Sequence, residues 1–402
     1  MASSLGRKLA VSLTETAAVP SDRRTFASLA LQSIVNAFVY STYLARLPDI
    51  RDQAGISIGA IGVIMTVGNL AGFAGSFFTS SLVRRLGSKR VTIWCGVLYV
   101  LSLPVVGSST SVALLVSAVV GMMLMNVFVD VGVAVQSTQF SIRRHHPVMS
   151  RMAGFYSLGT FAGGAAAAWI MSAGFDVSFH LFVLAIVLAT ALVFVGPGLL
   201  PVDEHPDGAN RTEGSGSRWR PGPAVLALGL ASAMAVPLDI VPGEWATFRM
   251  TDDLGTSHAT AAAAYFMFAA GMAVGRLGGD WAIVRIGRTR VAWLGPAMSV
   301  AGLLTAAGLP SHTTAMAGFL VAGLGISVVS PLLTEMAARV PGPPGSGFRA
   351  MFVGDRLAGL LTPAAVGSLA ASSQLGVGTS MIIMVLPSAA LLVFFAMLSI
   401  RR

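Results

Sequence analysis

Long apolar stretches, each about as long as a helix that crosses a bilayer, recur along almost the whole chain. A spanning helix needs ~20 mainly apolar residues. Inside lipid every backbone N–H and C=O must be satisfied internally, which leaves only helices and closed barrels. The apolar runs are continuous and lack the alternation of ~10-residue barrel strands. Hydropathy places spans near residues 25–45, 57–80, 90–108, 112–140, 151–173, 178–200, 223–246, 258–280, 290–309, 314–338, 348–371 and 377–400. The sequence therefore predicts an all-α membrane protein with about twelve transmembrane helices.

The composition excludes several functional classes. Charged residues make up only 11% of the chain, against roughly 25% in soluble proteins. The net charge of +9 does not indicate nucleic acid, because no basic helix is interleaved with aromatic residues. No phosphate-binding loop and no metal-ligand spacing occurs in the sequence. We therefore predict a lipid-embedded protein that is not an enzyme, with no nucleic-acid partner, no cofactor and no metal.

The basic residues predict the orientation. Of the 26 Lys and Arg residues, 22 fall at the N-terminus, at the C-terminus or after even-numbered spans. The positive-inside rule makes that side cytoplasmic, so both termini are expected in the cytoplasm of a cell (plasma or inner) membrane. The composition of the polar stretch 201–222 indicates a cytoplasmic linker. It divides a tail (1–24) and an N-terminal bundle (25–200) from a C-terminal bundle (223–402).

An internal repeat appears at an offset of 200 residues. Gly75, Arg85, Gly87 and Arg90 align with Gly275, Arg285, Gly287 and Arg290. Duplication of a six-span unit explains such a constant offset. Two six-helix bundles related by a pseudo-two-fold along the membrane normal, with a substrate site between them, are a recurrent transporter plan.

The segment 271–290, GMAVGRLGGDWAIVRIGRTR, resembles the loop signature of the major facilitator superfamily. The first-half copy has Ser80 where the signature acid is expected. The stretches around Asp130–Gln136, Glu244–Trp245 and Ser330–Pro331 resemble, more narrowly, the YbjJ/MosC-like branch.

This resemblance implies a secondary transporter that moves a small polar solute by alternating access, in proton-coupled or facilitated transport, and we expect it to be coupled to protons and monomeric. It also implies substrate contacts from spans one, four, seven and ten. The glycine-rich run Gly159 to Gly164 is half of the superfamily's export marker, which favours efflux. A proton-coupled sugar or cyclitol importer is an alternative, and so is a non-transporting receptor on a transporter scaffold.

Ionisable residues inside spans are costly and are functional candidates by default. Asp130 in span four is a candidate proton carrier, with a structural carboxylate as the alternative. In span seven, Glu244 is either part of the site or paired with Arg46 or Arg249 near the outer mouth. The candidates for substrate binding or coupling are Asn36, Tyr40, Tyr43, Asn126, Asp130, Gln136, Asp239 and Glu244. Of these candidates, Asn36, Tyr40 and Tyr43 lie along one face of span one. A polar contact surface between two helices is the alternative interpretation of that face.

A second group could latch one closed state and release it in the other. These conformational latch candidates are Gly275, Arg276, Gly279, Asp280, Arg285, Gly287 and Arg290 in the second half, with Arg85, Arg90, Asp355 and Arg356. Adjacent residues on a helix point ~100° apart, so Asp355 and Arg356 are each expected to pair with another helix.

Overall fold

The computed structural model describes residues 20–201 and 222–391, apart from 147, 342, 344, 373 and 374, together with residue 394. Almost all of the predicted tail and linker lies outside the described residues. Throughout the described part the regular structure is helical. The first half contains α1 (Asp22–Ala45), α2 (Leu47–Ala54), α3 (Ile58–Leu86), α4 (Ser88–Gly107), α5 (Val112–Arg144), α6 (Met149–Ser172) and α7 (Val177–Val195). The second contains α8 (Pro223–Phe248), α9 (His258–Ile286), α10 (Arg288–Gly308), α11 (His312–Ile326), α12 (Val329–Arg339), α13 (Ser346–Ala371) and α14 (Gly376–Val385).

Eight segments of the described chain are long and apolar enough to cross a membrane. Among them, α11 and α12 form one segment that is interrupted at residues 327–328. The predicted spans that fall short are α1, α6, α13 and α14. Polar residues lower the hydropathy of α1 and α13, which carry Asn36 and Arg356 respectively. Polar side chains in a membrane helix face the protein interior or a cavity, so these helices are candidates to line one.

The structure repeats helix boundaries at the same offset as the sequence repeat. α3 and α9 begin and end at positions 200 residues apart. The hydroxyls of Ser57 and Ser257 accept a hydrogen bond from the amide three residues on, which caps each helix. Gly87 and Gly287 follow with φ of 83° and 90°, a region that glycine enters without steric cost. The repeated signature glycine therefore sets the same sharp turn in both halves.

Glycines allow the helices of each half to approach closely. A Cβ added at Gly271 of α9 would overlap the carbonyl of Leu320 in α11, and one at Gly323 would overlap that of Phe268. In the first half, a Cβ added at Gly159 or Gly163 of α6 would likewise overlap backbone atoms of α1. The hydrophobic effect does not drive helices together inside lipid. Close van der Waals packing at small residues stabilises the bundle instead.

The halves meet through α3 with α13 and α6 with α9, at the end of the molecule that carries α2. The amide of Ala364 donates to Thr66 Oγ1 at 3.0 Å. An ideal Cβ on Gly59 would lie 3.1 Å from that of Ala371. We call this end the sealed end, and the opposite end, where Arg85 and Arg285 are exposed, the basic face.

We predict that Gly271→Val destabilises the protein, because the added side chain overlaps α11. Overpacking typically costs about 1–3 kcal/mol. The matched control is Gly278→Val on the same helix, where an added Cβ meets no atom within 4 Å. Thermal unfolding of purified protein should show a lower midpoint for Gly271→Val only. Equal midpoints for the two variants would contradict the packing assignment.

Candidate functional site between the two halves

Asp130 lies at the centre of the seam between the halves. Its Oδ1 accepts a hydrogen bond from Asn36 Nδ2 at 2.5 Å, and Arg356 of the second half lies near enough to interact with it electrostatically, without forming a direct salt bridge. Asn36 is 2% exposed, whereas Asp130 and Arg356 are exposed although both lie well inside their helices. Exposed charged side chains at membrane depth have to face a water-filled cavity rather than lipid. The space between the halves is therefore a cavity, which the sealed end closes on one side.

A second charged pair lines the same cavity. Arg276 Nη1 donates to Ser157 Oγ at 2.6 Å across the seam, and Asp239 of α8 interacts with Arg276. Tyr156 interacts with Asp130, Asp239 and Arg276, so it stands between the two pairs. The sequence grouped Arg276 with the basic loop residues. The structure instead places it about three turns inside α9.

Glu244 lies nearer the sealed end and is 3% exposed. Asn69 of α3 interacts with its carboxylate, whose Oε2 has no hydrogen-bond partner. Tyr40 and Tyr43 of α1 interact with this carboxylate. The alternative pairing with arginine is not what the structure shows, because Arg46 and Arg249 bond to other groups.

The five tyrosines of the chain all belong to this region. Tyr40, Tyr43, Tyr99, Tyr156 and Tyr265 lie near one another and near the cavity carboxylates. The rings of Tyr40 and Tyr43 are 6.3 Å apart. Tyrosine combines an apolar ring with a polar hydroxyl, so the cavity wall can both stack against a solute and hydrogen-bond to it.

Ion pairs close the sealed end across the seam. Arg51 of α2 contacts Asp252, and His258 Nδ1 lies 2.6 Å from Asp49 Oδ1. Within each half a buried arginine supports this end: Arg46 bonds to Asp49 at 3.2 Å, and Arg249 bonds to Asp253 at 2.9 Å. These three arginines are the ones that the sequence placed opposite the basic side. They are interior partners of carboxylates rather than loop charges.

Several predicted residues lie apart from the cavity centre. Gln136 bonds to Ser88 Oγ at 2.7 Å and to the backbone of Leu200, so it ties α5 to the start of α4 and the end of α7. Asn126, one turn before Asp130, has a buried amide oxygen without a hydrogen-bond partner. Asp355 accepts a hydrogen bond from Ser232 of α8.

The remaining latch candidates lie toward the basic face. Gly75 packs on Leu124, Gly275 packs on Ser327 and Leu324, and Gly279 lies against Val328. Arg85, Arg90, Arg285 and Arg290 are exposed. The side chain of Asp280 lies outside the described residues, so its proposed part in a latch stays a prediction.

Sequence reasoning missed five residues of the cavity: Asn69, Tyr99, Tyr156, Ser157 and Tyr265. One signal could have found the tyrosines. The chain has 21 phenylalanines but only 5 tyrosines, so each tyrosine within an apolar span is a candidate for a site that uses its hydroxyl.

Two helical halves around a charged cavity that is sealed at one end are the architecture of a transporter that works by alternating access. The family model of the Major Facilitator Superfamily matches residues 29–363, and the chain belongs to that superfamily. It is therefore a multi-pass membrane transporter of a small molecule and not an enzyme.

Relatives and solved structures agree with this membership. An uncharacterized transporter y4wD of Sinorhizobium fredii is 25% identical, over 85% of this chain and 90% of its own length. The membrane protein MosC of Rhizobium meliloti is 24% identical, over 79% of this chain and 77% of its own length, which confirms the predicted resemblance to the MosC-like branch.

A mutant form of the nucleoside transporter NupG superimposes with a TM-score of 0.73 at 12% identity, covering 93% of this chain and 99% of that one. A bacterial homolog of the human lysosomal transporter Spinster, in an inward-facing and occupied conformation, gives 0.63 at 14% identity, covering 93% and 96%. The fold is thus the twelve-helix, two-bundle fold that the sequence predicted.

We predict that Gly59→Cys with Ala371→Cys, in a Cys95→Ala background, forms a disulfide that joins the halves at the sealed end. The Cβ separation there is close to the ~3.5–4.5 Å of a disulfide. A protease site inserted within 202–221 makes the cross-link visible, because the halves separate on a denaturing gel unless they are bonded. The control pair Leu86→Cys with Ile286→Cys, at the basic face, should not cross-link. Cross-linking at both ends would contradict a cavity that is sealed at one end.

Proposed function

We propose that this transporter couples the movement of a small polar solute to protons, and that Asp130 carries the proton. The observation that supports this is its position: Asp130 is held by Asn36 of its own half and faces Arg356 of the other half. A proton on Asp130 removes the charge that attracts Arg356. Protonation therefore changes the contact between the halves as well as the charge of the cavity.

This arrangement links chemistry to motion. A ligand shifts a conformational equilibrium only by its difference in affinity between the two states. Asp130 offers such a difference, since its carboxylate interacts electrostatically with Arg356 of the other half. When the halves rock and that face closes, Arg356 and Asp130 move relative to each other, and the proton affinity of Asp130 changes with them.

We propose that the basic face is cytoplasmic and that the protein exports its solute as a monomer from the cytoplasm across a cell membrane. The distribution of arginine supports the orientation, and the cavity, which is built within one chain, supports the monomer. The partial export marker supports the direction, although Gly159 and Gly163 also have a packing role against α1. In a proton-coupled importer of a sugar or cyclitol, protons instead move in the same direction as the solute.

We propose a solute of one or two rings that carries hydroxyl groups, because tyrosines and paired charges line the cavity. Such walls favour stacking and directed hydrogen bonds over simple hydrophobic exclusion. The structural relative NupG is described as a nucleoside transporter, so a nucleoside belongs beside sugars and cyclitols in the test.

We predict that Asp130→Asn abolishes solute-driven proton flux, because the amide is isosteric but holds no exchangeable charge. Purified protein is reconstituted into vesicles that enclose a pH-sensitive dye, and glucose, myo-inositol, adenosine and ethidium are added in turn. The control Asp22→Asn removes an exposed carboxylate, paired with Arg143 at the basic face, and should keep the wild-type flux.

The sign of the lumenal pH change also separates the two directions. Solute entry that makes the lumen more alkaline indicates exchange against protons, as an exporter requires, and acidification indicates symport. Flux that is unchanged in Asp130→Asn, or no wild-type response to any of the four solutes, would contradict the proposed coupling.

A further inference from the structure

We propose that Glu244, Tyr43 and Tyr40 form a subsite that binds the positively charged nitrogen of an organic ammonium substrate. The proposal deepens the proposed function, since it names the substrate class of the same cavity. It rests on a carboxylate without a cationic partner, on unpartnered buried polar atoms beside it and on the aromatic side chains around it.

The first observation is the charge balance of the cavity. Arg356 interacts with both Asp130 and Asp355, and Arg276 interacts with Asp239, so these three acids each have an arginine nearby. Glu244 interacts with Asn69, Asp239 and the two tyrosines. Among the described residues, the arginines that flank its end of the seam are held elsewhere, Arg46 by Asp49 and Arg249 by Asp253. A bound cation would supply the counter-charge that Glu244 lacks.

The second observation is a set of buried polar atoms without partners. Glu244 Oε2 and the Tyr43 hydroxyl have no hydrogen-bond partner within the described structure, and the two residues are only 3% and 1% exposed. Leaving such groups unsatisfied costs about 1–3 kcal/mol each. An ammonium group carries several N–H donors on one centre, and it can satisfy both atoms together.

The third observation is the kind of wall around the carboxylate. Aromatic faces attract ammonium ions, and aromatic side chains around a cation recur in the recognition of organic amines. Tyr40 and Tyr43 come from one helix of the first half and face the acid of the second half. A metal ion would need several hard oxygen ligands, and in the described part of the chain no three His, Cys, Asp or Glu residues lie close enough to hold one. This wall therefore favours an organic cation.

The position of the subsite also bounds the size of the substrate. Glu244 and Asp239 lie five residues apart on α8, which corresponds to about 7.5 Å along the helix. The nitrogen would sit at the sealed end beside Glu244, and the rest of the molecule would extend toward Tyr156 and the charged pair of Asp239 and Arg276. A single ring with hydroxyl groups spans that length.

Equilibrium binding to purified protein, measured without a pH gradient, tests the subsite separately from coupling. The probes form matched sets: glucosamine against glucose and N-acetylglucosamine, and tyramine against tyrosol, each at pH 7 in potassium buffer, where both amines are mainly protonated. We expect the ammonium member of at least one set to bind at least tenfold more tightly than its neutral counterparts, by calorimetry. Glu244→Gln should abolish that preference, and Glu335→Gln, which removes a carboxylate at the basic face, should preserve it.

Three further results decide the matter. Glu244→Asp keeps the charge and should keep the preference for the ammonium compound at reduced affinity. This variant tests the role of the charge even if Glu244→Gln fails to fold. Asp130→Asn should still bind the ammonium compound even where proton flux is lost, which distinguishes failure of the subsite from failure of the coupling. Equal binding of neutral and ammonium compounds, binding of none of them, or full preference in Glu244→Gln would overturn the proposal.

Discussion

The cost of placing a charge in hydrocarbon governs this structure. Each charged side chain at membrane depth has to meet water, a counter-charge or a hydrogen-bond donor. The described structure satisfies this requirement in one place, the seam between the halves, where Asp130, Asp239, Arg276 and Arg356 share one cavity. The lipid-facing surfaces are left to apolar side chains, with glycines where helices cross. Solute binding, proton binding and movement of the halves therefore act on the same few side chains.

The two halves share helix boundaries and turns but differ in the side chains that they contribute to the cavity. Their helix caps and turns recur at the same offset, from Ser57 and Ser257 to Gly87 and Gly287. The cavity side chains do not recur in this way. The first half contributes Asp130 and four of the five tyrosines, and the second contributes two acids of α8 and both arginines. The asymmetry follows from the site itself, because an ion pair across the seam needs an acid on one side and a base on the other.

Hydropathy and the repeat were sufficient to predict the helices, their pairing into two bundles and the presence of acids at membrane depth. They were not sufficient to predict partners. The depth of a residue follows from its position along a helix, but its direction around the axis relative to the other half does not. For that reason the contact of Asp130 with Arg356 was not predicted. Arg276 falls within the predicted eighth span but was counted with the basic side, and its hydrogen bond to Ser157 of the other half was not predicted. Gln136, chosen for its closeness to Asp130 in sequence, bonds instead to Ser88 and Leu200.

The central claim is that the halves alternate around this cavity, opening at one end as they close at the other. Paired spin labels on Ala60 and Thr260 at the sealed end, and on Leu86 and Ile286 at the basic face, measure both separations by double electron–electron resonance. The account predicts that lowering the pH changes the two distances in opposite senses, and that Asp130→Asn removes the pH response. Distances that change in the same sense at both ends, or a pH response that persists in Asp130→Asn, would contradict it.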